Sequence, residues 1–168
     1  MSLHDILLET HTKRLPVPNW DGHINEAGLE IIKRFEGWRS SPYLCAAARP
    51  TIGWGSCWDD KGDPVTLDHP SITKEQGEHL LKREVRHVEK AIRRSVKTFL
   101  NENQFSACCS LAYNIGSGNF FRSSLRQKLS RGDIEGASNE FPKWRRAGGR
   151  ILKGLVIRRG FERRLFLL

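Results

Sequence analysis

The chain has 168 residues, 38% apolar and 28% charged, and its 28 basic against 19 acidic side chains leave a net charge of +9. That length supports a core without disulfide staples, and four cysteines are too sparse for a disulfide scaffold. No run of about 18 apolar residues marks a membrane span, and the surplus of positive charge points to an anionic partner such as nucleic acid, anionic lipid or a cell-wall polymer.

Residues 1–22 hold an apolar cluster of Ile6, Leu7 and Leu8, then Pro16 and Pro18. They predict a short helix or loose arm followed by an extended link. Asp5, Glu9, Lys13 and Arg14 interrupt this stretch, which lacks the apolar core of a signal peptide. The opening Met-Ser-Leu reads as an added remnant, which leaves room for a native export segment ahead of it.

Ile24, Ala27, Ile31 and Phe35 then recur at three- and four-residue spacing around Lys33 and Arg34. That period predicts an amphipathic helix, with Asn25 as N-cap and Gly37 just past its end. Glu36 falls in the last turn, at the rim of the apolar face. The negative end of the helix dipole and partial burial beside Phe35 and Trp38 both favour a protonated carboxyl there, and a nearby Arg would oppose them. A proton donor needs that form, although a solvated helix end is the ordinary fate of such a Glu.

Residues 43–68 carry Gly53, Gly55, Gly62 and Pro64 among short β-prone pieces, with Asp59 to Gly62 as a turn. They predict a small antiparallel sheet. Thr73 to Gln76 fits a capping box. Leu81, Val85, Val88, Ile92 and Val96 then mark one face of a helix of about seven turns. Asn101 to Gln104 cap the next helix, which runs through Phe105, Cys108, Leu111, Ala112 and Ile115 and is ended by Gly116 and Gly118. Leu125 and Leu129 predict a short helix stopped by Gly132. Asp133 starts another through Ile134, Ala137 and Phe141, with Pro142 near its end. A last helix runs from about Leu155 to Phe166. There is no internal repeat and no low-complexity tract.

Chemistry concentrates in residues 35–55. Cys45 follows Glu36 by nine positions and Thr51 by fifteen, and Thr51 opens the strand-like Thr-Ile-Gly-Trp-Gly. This pattern resembles the active-site signature of the phage-type lysozymes, or endolysins, of glycoside hydrolase family twenty-four. In that family a Glu is followed by eight residues, an Asp, five residues and a Thr that begins a Thr-Ile-Gly-aromatic-Gly strand. Cys45 stands where the family usually has Asp, although some phage endolysins also carry Cys there. Later segments agree in order: Leu111-Ala-Tyr-Asn-Ile-Gly-Ser-Gly118, Gly132 to Phe141, and Trp144 to Arg159 with its Ala147-Gly-Gly and Arg158-Arg159. The similarity covers roughly residues 24–168.

The resemblance implies an α+β, lysozyme-like fold. A small antiparallel sheet lobe of residues 23–72 would hold the catalytic helix. A long connecting helix would lead into a larger helical lobe, together residues 73–168, with a cleft between the lobes and residues 1–22 as an N-terminal arm. It implies hydrolysis of the β-1,4 bond between N-acetylmuramic acid and N-acetylglucosamine in peptidoglycan, causing bacterial lysis, and a phage or prophage origin. The expected enzyme is made in the bacterial cytoplasm and reaches the wall by release or export. It is a monomer, needs no cofactor or metal, and neither binds nucleic acid nor inserts stably in a membrane.

Glycoside cleavage needs a proton for the leaving oxygen and stabilisation of an oxocarbenium-like centre. Glu36 is the implied acid, Cys45 the group that guides water or steadies positive charge, and Thr51 a water-positioning hydroxyl. A thiol near pKa 8.5 is a weak base at neutral pH, so a role for Cys45 calls for thiolate character; otherwise it is a small packed residue. Cys45 and Cys57, twelve positions apart, form a candidate redox pair if their Cα atoms come within about 7 Å. Cys108 and Cys109 read as core or interface residues. Asn114 is a candidate substrate-binding residue toward sugar hydroxyls or N-acetyl groups, or else a plain helix end. Arg158 and Arg159 reach the cleft or, more simply, form a solvated basic face. Trp38, Trp54, Trp58 and Trp144 stack on sugars or pack in the core. Rival readings are a lytic transglycosylase, which needs no water-guiding carboxylate, and a catalytically impaired peptidoglycan-binding protein. A nucleic-acid binder has only charge in its favour.

Overall fold

A computed structural model describes residues 20–45 and 47–168. The apolar cluster and prolines of the expected N-terminal arm lie outside the described residues, apart from positions 20–22. The elements in order are α1 (Glu26–Glu36), β1 (Arg39–Leu44), β2 (Pro50–Gly53), α2 (Lys74–Ser95), α3 (Glu102–Ile115), α4 (Ser117–Arg122), α5 (Ser124–Ser130), α6 (Ile134–Ser138), a 3-10 turn (Phe141–Lys143), β3 (Arg146–Ala147), β4 (Arg150–Ile151) and α7 (Lys153–Phe166). The chain forms two compact units. One comprises the residues up to Ile31 with Val88–Leu168, the other Ile32–His87.

In the unit Ile32–His87, β1 and β2 pair antiparallel, with Tyr43 opposite Thr51 and Leu44 opposite Pro50. The sheet expected over residues 43–68 is smaller and begins earlier. Beyond Gly53 only the single bridges Ile52–Ser56 and Trp58–Pro64 continue it. Pro64 has no N–H to extend a ladder. The Asp59 carboxylate meanwhile folds the chain into a turn by accepting from the backbone N–H of Lys61 and Asp63. Ile52, Val65 and Leu80 close a small core with Ile72 against it. Thr73 and Gln76 form the expected capping box at the start of α2. Trp38 lies against Gly77 on α2, where an added Cβ would fall 2.3 Å from its ring.

In the other unit α3 carries eight consecutive buried residues, Phe105 to Ala112. A helix apolar nearly all round belongs inside a core, and its two polar exceptions are small and bonded. Ser106 accepts from the Asn25 backbone N–H at 2.9 Å, and Ser110 donates to Glu162 at 2.8 Å. Cys108 and Cys109 are fully buried. Asn101 and Gln104 make a complete capping box. Asn25 caps α1 through the Gly28 N–H, and Gly37 follows its end at φ 75. Gly116 ends α3, whereas Gly118 lies inside α4. The helix expected to reach Phe141 stops at Ser138. The Pro142 ring would collide with the carbonyl four residues back, so the chain tightens into a 3-10 turn instead. Around Gly148 and Gly149, both at positive φ, β3 and β4 form a hairpin that the sequence reading missed. A two-residue glycine turn is the usual connection for such a pair.

Arg158 and Arg159 are not a solvated basic face. They are 2% and 1% exposed, and Glu162 between them is 0% exposed. Arg158 Nε lies 3.2 Å from Glu162 Oε1, and Arg159 Nε 2.9 Å from Oε2. Arg158 also donates to the Ser110 carbonyl at 3.3 Å. Burial pushes the Glu162 carboxyl up from its ordinary value, and the two guanidiniums and the Ser110 hydroxyl pull it back. Helical spacing of three and four residues places both arginines and the glutamate on one face of α7; that face is the buried one. Replacing Glu162 with Ala leaves two guanidiniums in the core without this carboxylate. The expected loss is about 3–5 kcal/mol, read from urea unfolding of Glu162→Ala; a loss under about 1 kcal/mol would mean that water reaches the arginines.

Candidate active site

The last turn of α1 ends on Glu36, which is half-buried. Gly37 turns the chain, and Trp38 anchors it by packing against Trp54, with ring centroids 4.5 Å apart. Lys33 Nζ sits 5.4 Å from the Trp54 ring and pairs with Glu78 at 3.1 Å. Trp38 and Trp54 are therefore packing residues, while Trp58 is half exposed. This anchoring delivers the chain into β1 directly after Glu36.

The loop joining β1 to β2 shapes the surroundings of Cys45. The Cys45 N–H donates to the Arg49 carbonyl at 3.0 Å, and the Ala48 N–H donates to the Cys45 carbonyl at 2.8 Å. Ala48 sits at φ 54, a left-handed conformation that costs a residue with a Cβ about 1–2 kcal/mol. Hydrogen bonding from the Arg49 and Ala47 backbone and the Thr51 hydroxyl, with the Arg49 charge, lowers the Cys45 pKa to about 7, with burial opposing. A substantial fraction of Cys45 is thus thiolate at neutral pH.

Thr51 is 2% exposed. Its Oγ1 donates to the Arg49 carbonyl at 3.0 Å and lies 3.7 Å from Cys57 Sγ. The Thr51 hydroxyl is also one of the groups that lower the Cys45 pKa.

Tyr43 is the residue that the sequence reading missed. Burial raises its pKa first, then the negative charge of Glu36, then that of Cys45; Arg39 opposes and Cys57 adds a little. One phenol thus feels both Glu36 and Cys45, and it stays a neutral donor at pH 7. Tyr43 lies in β1 opposite Thr51, two residues before Cys45. The structure brings Cys45, Thr51 and Cys57 together and places Glu36 within electrostatic reach of the same tyrosine. Asn114 belongs to the other unit, near the end of α3, where its exposed side chain accepts from Arg159 Nη2 at 3.0 Å. All four cysteines are free thiols. Among the described residues no group of His, Cys, Asp or Glu side chains could hold a metal ion, and no helix is long and apolar enough to cross a membrane.

Alkylation by iodoacetamide, followed by mass spectrometry across a pH series, should give a Cys45 modification rate with its midpoint near pH 7. Burial holds Cys108 and Cys109 well above the usual thiol range, so they should react only after unfolding. A Cys45 midpoint above about 8.5, the value of an unperturbed thiol, would show that the loop does not stabilise the thiolate.

The phage lysozyme family model matches residues 33–162. An endolysin of Acyrthosiphon pisum secondary endosymbiont phage 1 is 42% identical over 148 residues, which cover 86% of this chain and 97% of that protein. An endolysin of Bacillus phage B103 is 38% identical over 149 residues; the match covers 86% of this chain but 54% of that protein. Among solved structures, a mutant of P22 lysozyme matches with a TM-score of 0.79 at 36% identity, over 87% of this chain and 99% of the other. The mixed helical and sheet architecture is accordingly a lysozyme-like α+β fold, and the chain belongs to the phage lysozyme family.

Proposed function

We propose that this chain hydrolyses the β-1,4 bond between N-acetylmuramic acid and N-acetylglucosamine in peptidoglycan, and that it acts as a monomer to lyse bacterial cells. Made in the bacterial cytoplasm, it reaches the wall by release or export. The supporting observation is that the match to the phage lysozyme family spans residues 33–162, which hold Glu36 at the end of α1 and the β1–β2 loop that lowers the Cys45 pKa to about 7. A proton donor followed by a thiolate-prone group suits acid-assisted cleavage of an acetal.

In this reading Glu36 gives its proton to the leaving glycosidic oxygen as the bond to the anomeric carbon breaks. Positive charge grows on the ring, and the Cys45 thiolate steadies it. A water held by the Thr51 hydroxyl attacks the anomeric carbon and passes a proton to Cys45. Proton exchange with solvent then restores Glu36 as acid and Cys45 as thiolate. The basic surface of a chain at +9 draws the enzyme to an anionic wall. A reducing sugar end is the product that this sequence of steps requires, and an anhydro end would mark transglycosylation instead.

Glu36→Gln should abolish clearing of isolated peptidoglycan, whereas a pure binder would show no change. Wild type should lose activity as pH falls through about 7, where Cys45 takes a proton. In Cys45→Asp the acidic limb should move down by about 3 pH units, toward the ordinary carboxylate value near 4, and Cys45→Ala should be strongly impaired at every pH. If Cys45→Ala matches wild type throughout, Cys45 has no part in the chemistry.

Cys45 and Cys57 flank the same Thr51 hydroxyl, and a disulfide between them would remove the thiolate. Oxidised enzyme should therefore be inactive and should recover on reduction, with two free thiols regained. An absence of any gain on reduction discards this redox control.

A further inference from the structure

Between Glu140 and Glu162 the chain carries seven basic residues and no acidic one. Both flanking carboxylates are engaged, Glu140 by Lys128 and Lys143 at 2.7 and 2.8 Å and Glu162 by Arg158 and Arg159. While Arg158, Arg159 and Glu162 turn into the core, another side of α7 carries Val156, Gly160, Arg164 and Leu167 at three- and four-residue spacing. These four line a cavity of about 610 Å3, to which Pro142 and Arg145 also contribute. It lies wholly within the unit that holds Val88–Leu168, and small-molecule sites run from about 300 to 1,000 Å3. Arg163, also on its wall, is held by the Ser138 carbonyl and Asn139 Oδ1. Among the described residues no carboxylate pairs with Arg145 or Arg164.

Gly160 is the second observation. Glycine is a poor residue for a helix interior, and no packing or turn requires one here. A Cβ at this position would meet nothing within 4 Å, and the backbone is not left-handed. Its effect is to leave the cavity open down to the helix backbone. Val156 and Leu167 keep 43% and 54% of their surface exposed beside it. The cavity therefore combines uncovered apolar side chains with guanidiniums that lack an anion.

We propose that this cavity binds one anionic phospholipid, its phosphate on Arg145 and Arg164 and the start of an acyl chain against Val156, Leu167 and the Gly160 backbone. Guanidiniums pair strongly with phosphate oxygens. The two arginines lie on separate segments, one beyond the 3-10 turn and one on α7, and a tetrahedral head offers oxygens in more directions than a planar carboxylate. A free anion would leave the apolar wall uncovered, and a neutral lipid would leave the arginines without a partner. Such a site holds the protein at a membrane surface without any segment crossing it.

The test is titration calorimetry of the full chain with dihexanoyl phosphatidylglycerol below its micelle concentration, beside inorganic phosphate, hexanoate and dihexanoyl phosphatidylcholine. Phosphatidylglycerol should bind most tightly. Gly160→Leu fills the cavity with a better helix former, so the melting temperature should hold or rise while lipid affinity falls about tenfold or more. Arg145→Ala and Arg164→Ala should each weaken phosphatidylglycerol binding about tenfold. Inorganic phosphate binding as tightly as the lipid would reduce the site to charge, and phosphatidylcholine doing so would reduce it to apolar contact. Either result overturns the proposal, as does tighter binding of hexanoate. A chain at +9 is drawn to any anionic surface. Co-sedimentation with phosphatidylglycerol vesicles is therefore compared between wild type and Gly160→Leu, which have the same charge. Weaker sedimentation of the variant supports the cavity, and equal sedimentation overturns it. Every readout is binding, so the outcome stands apart from the hydrolase reading.

Discussion

A carboxylate without access to water cannot stand alone, and Glu162 is such a group. Its two oxygens take hydrogen bonds or ion pairs from Arg158, Arg159 and Ser110. This pairing dictates which face of α7 turns inward and how α7 meets α3, the most apolar helix of its unit. It also explains why two arginines occupy a largely apolar core. Well-packed apolar residues would often serve stability as well as a buried ion pair. What an ionic cluster adds is direction, because a guanidinium has fixed donors at fixed angles. One of those donors reaches outward to Asn114, so a constraint set deep in the core appears at the surface as the orientation of an amide.

The thiol site follows the same rule on a smaller scale. Cys45 owes its acidity mainly to backbone N–H groups arranged by the turn between β1 and β2, with the Thr51 hydroxyl third in order. A strained Ala48 belongs to that turn. Strain of this kind persists only where the surrounding structure over-determines it, and here the antiparallel pairing of Tyr43 with Thr51 supplies the restraint. The sulfur is thus partly thiolate near neutrality, through hydrogen bonding to the charged form rather than by the nature of the group.

Local signals carried far along the chain. The Asn101–Gln104 and Thr73–Gln76 boxes, the Asn25 cap and the Gly37 and Gly116 stops each depend on backbone groups within four residues, and each stands where the side-chain pattern put it. The spacing of Glu36, Cys45 and Thr51 was legible for the same reason: a helix end, one strand and one turn separate them. Tyr43 was overlooked because its importance comes from lying two residues before Cys45 while also feeling Glu36. Linear spacing shows the first relation but not the second.

Arg158 and Arg159 mark the other limit. In sequence they are two basic residues in a basic chain, and solvation is the ordinary expectation. Their burial depends on Glu162 one turn along the same helix, and also on Ser110 and Asn114, forty-eight and forty-five positions away. Sequence alone determined the helix periods, the caps, the α+β class and the order of the candidate catalytic groups, because these follow from contacts within a few residues or from a short motif. Only the tertiary structure decided which charges lie inside, which way Asn114 faces and how acidic Cys45 is. Desolvation and hydrogen-bond direction depend on neighbours brought together by folding, and linear spacing does not encode them.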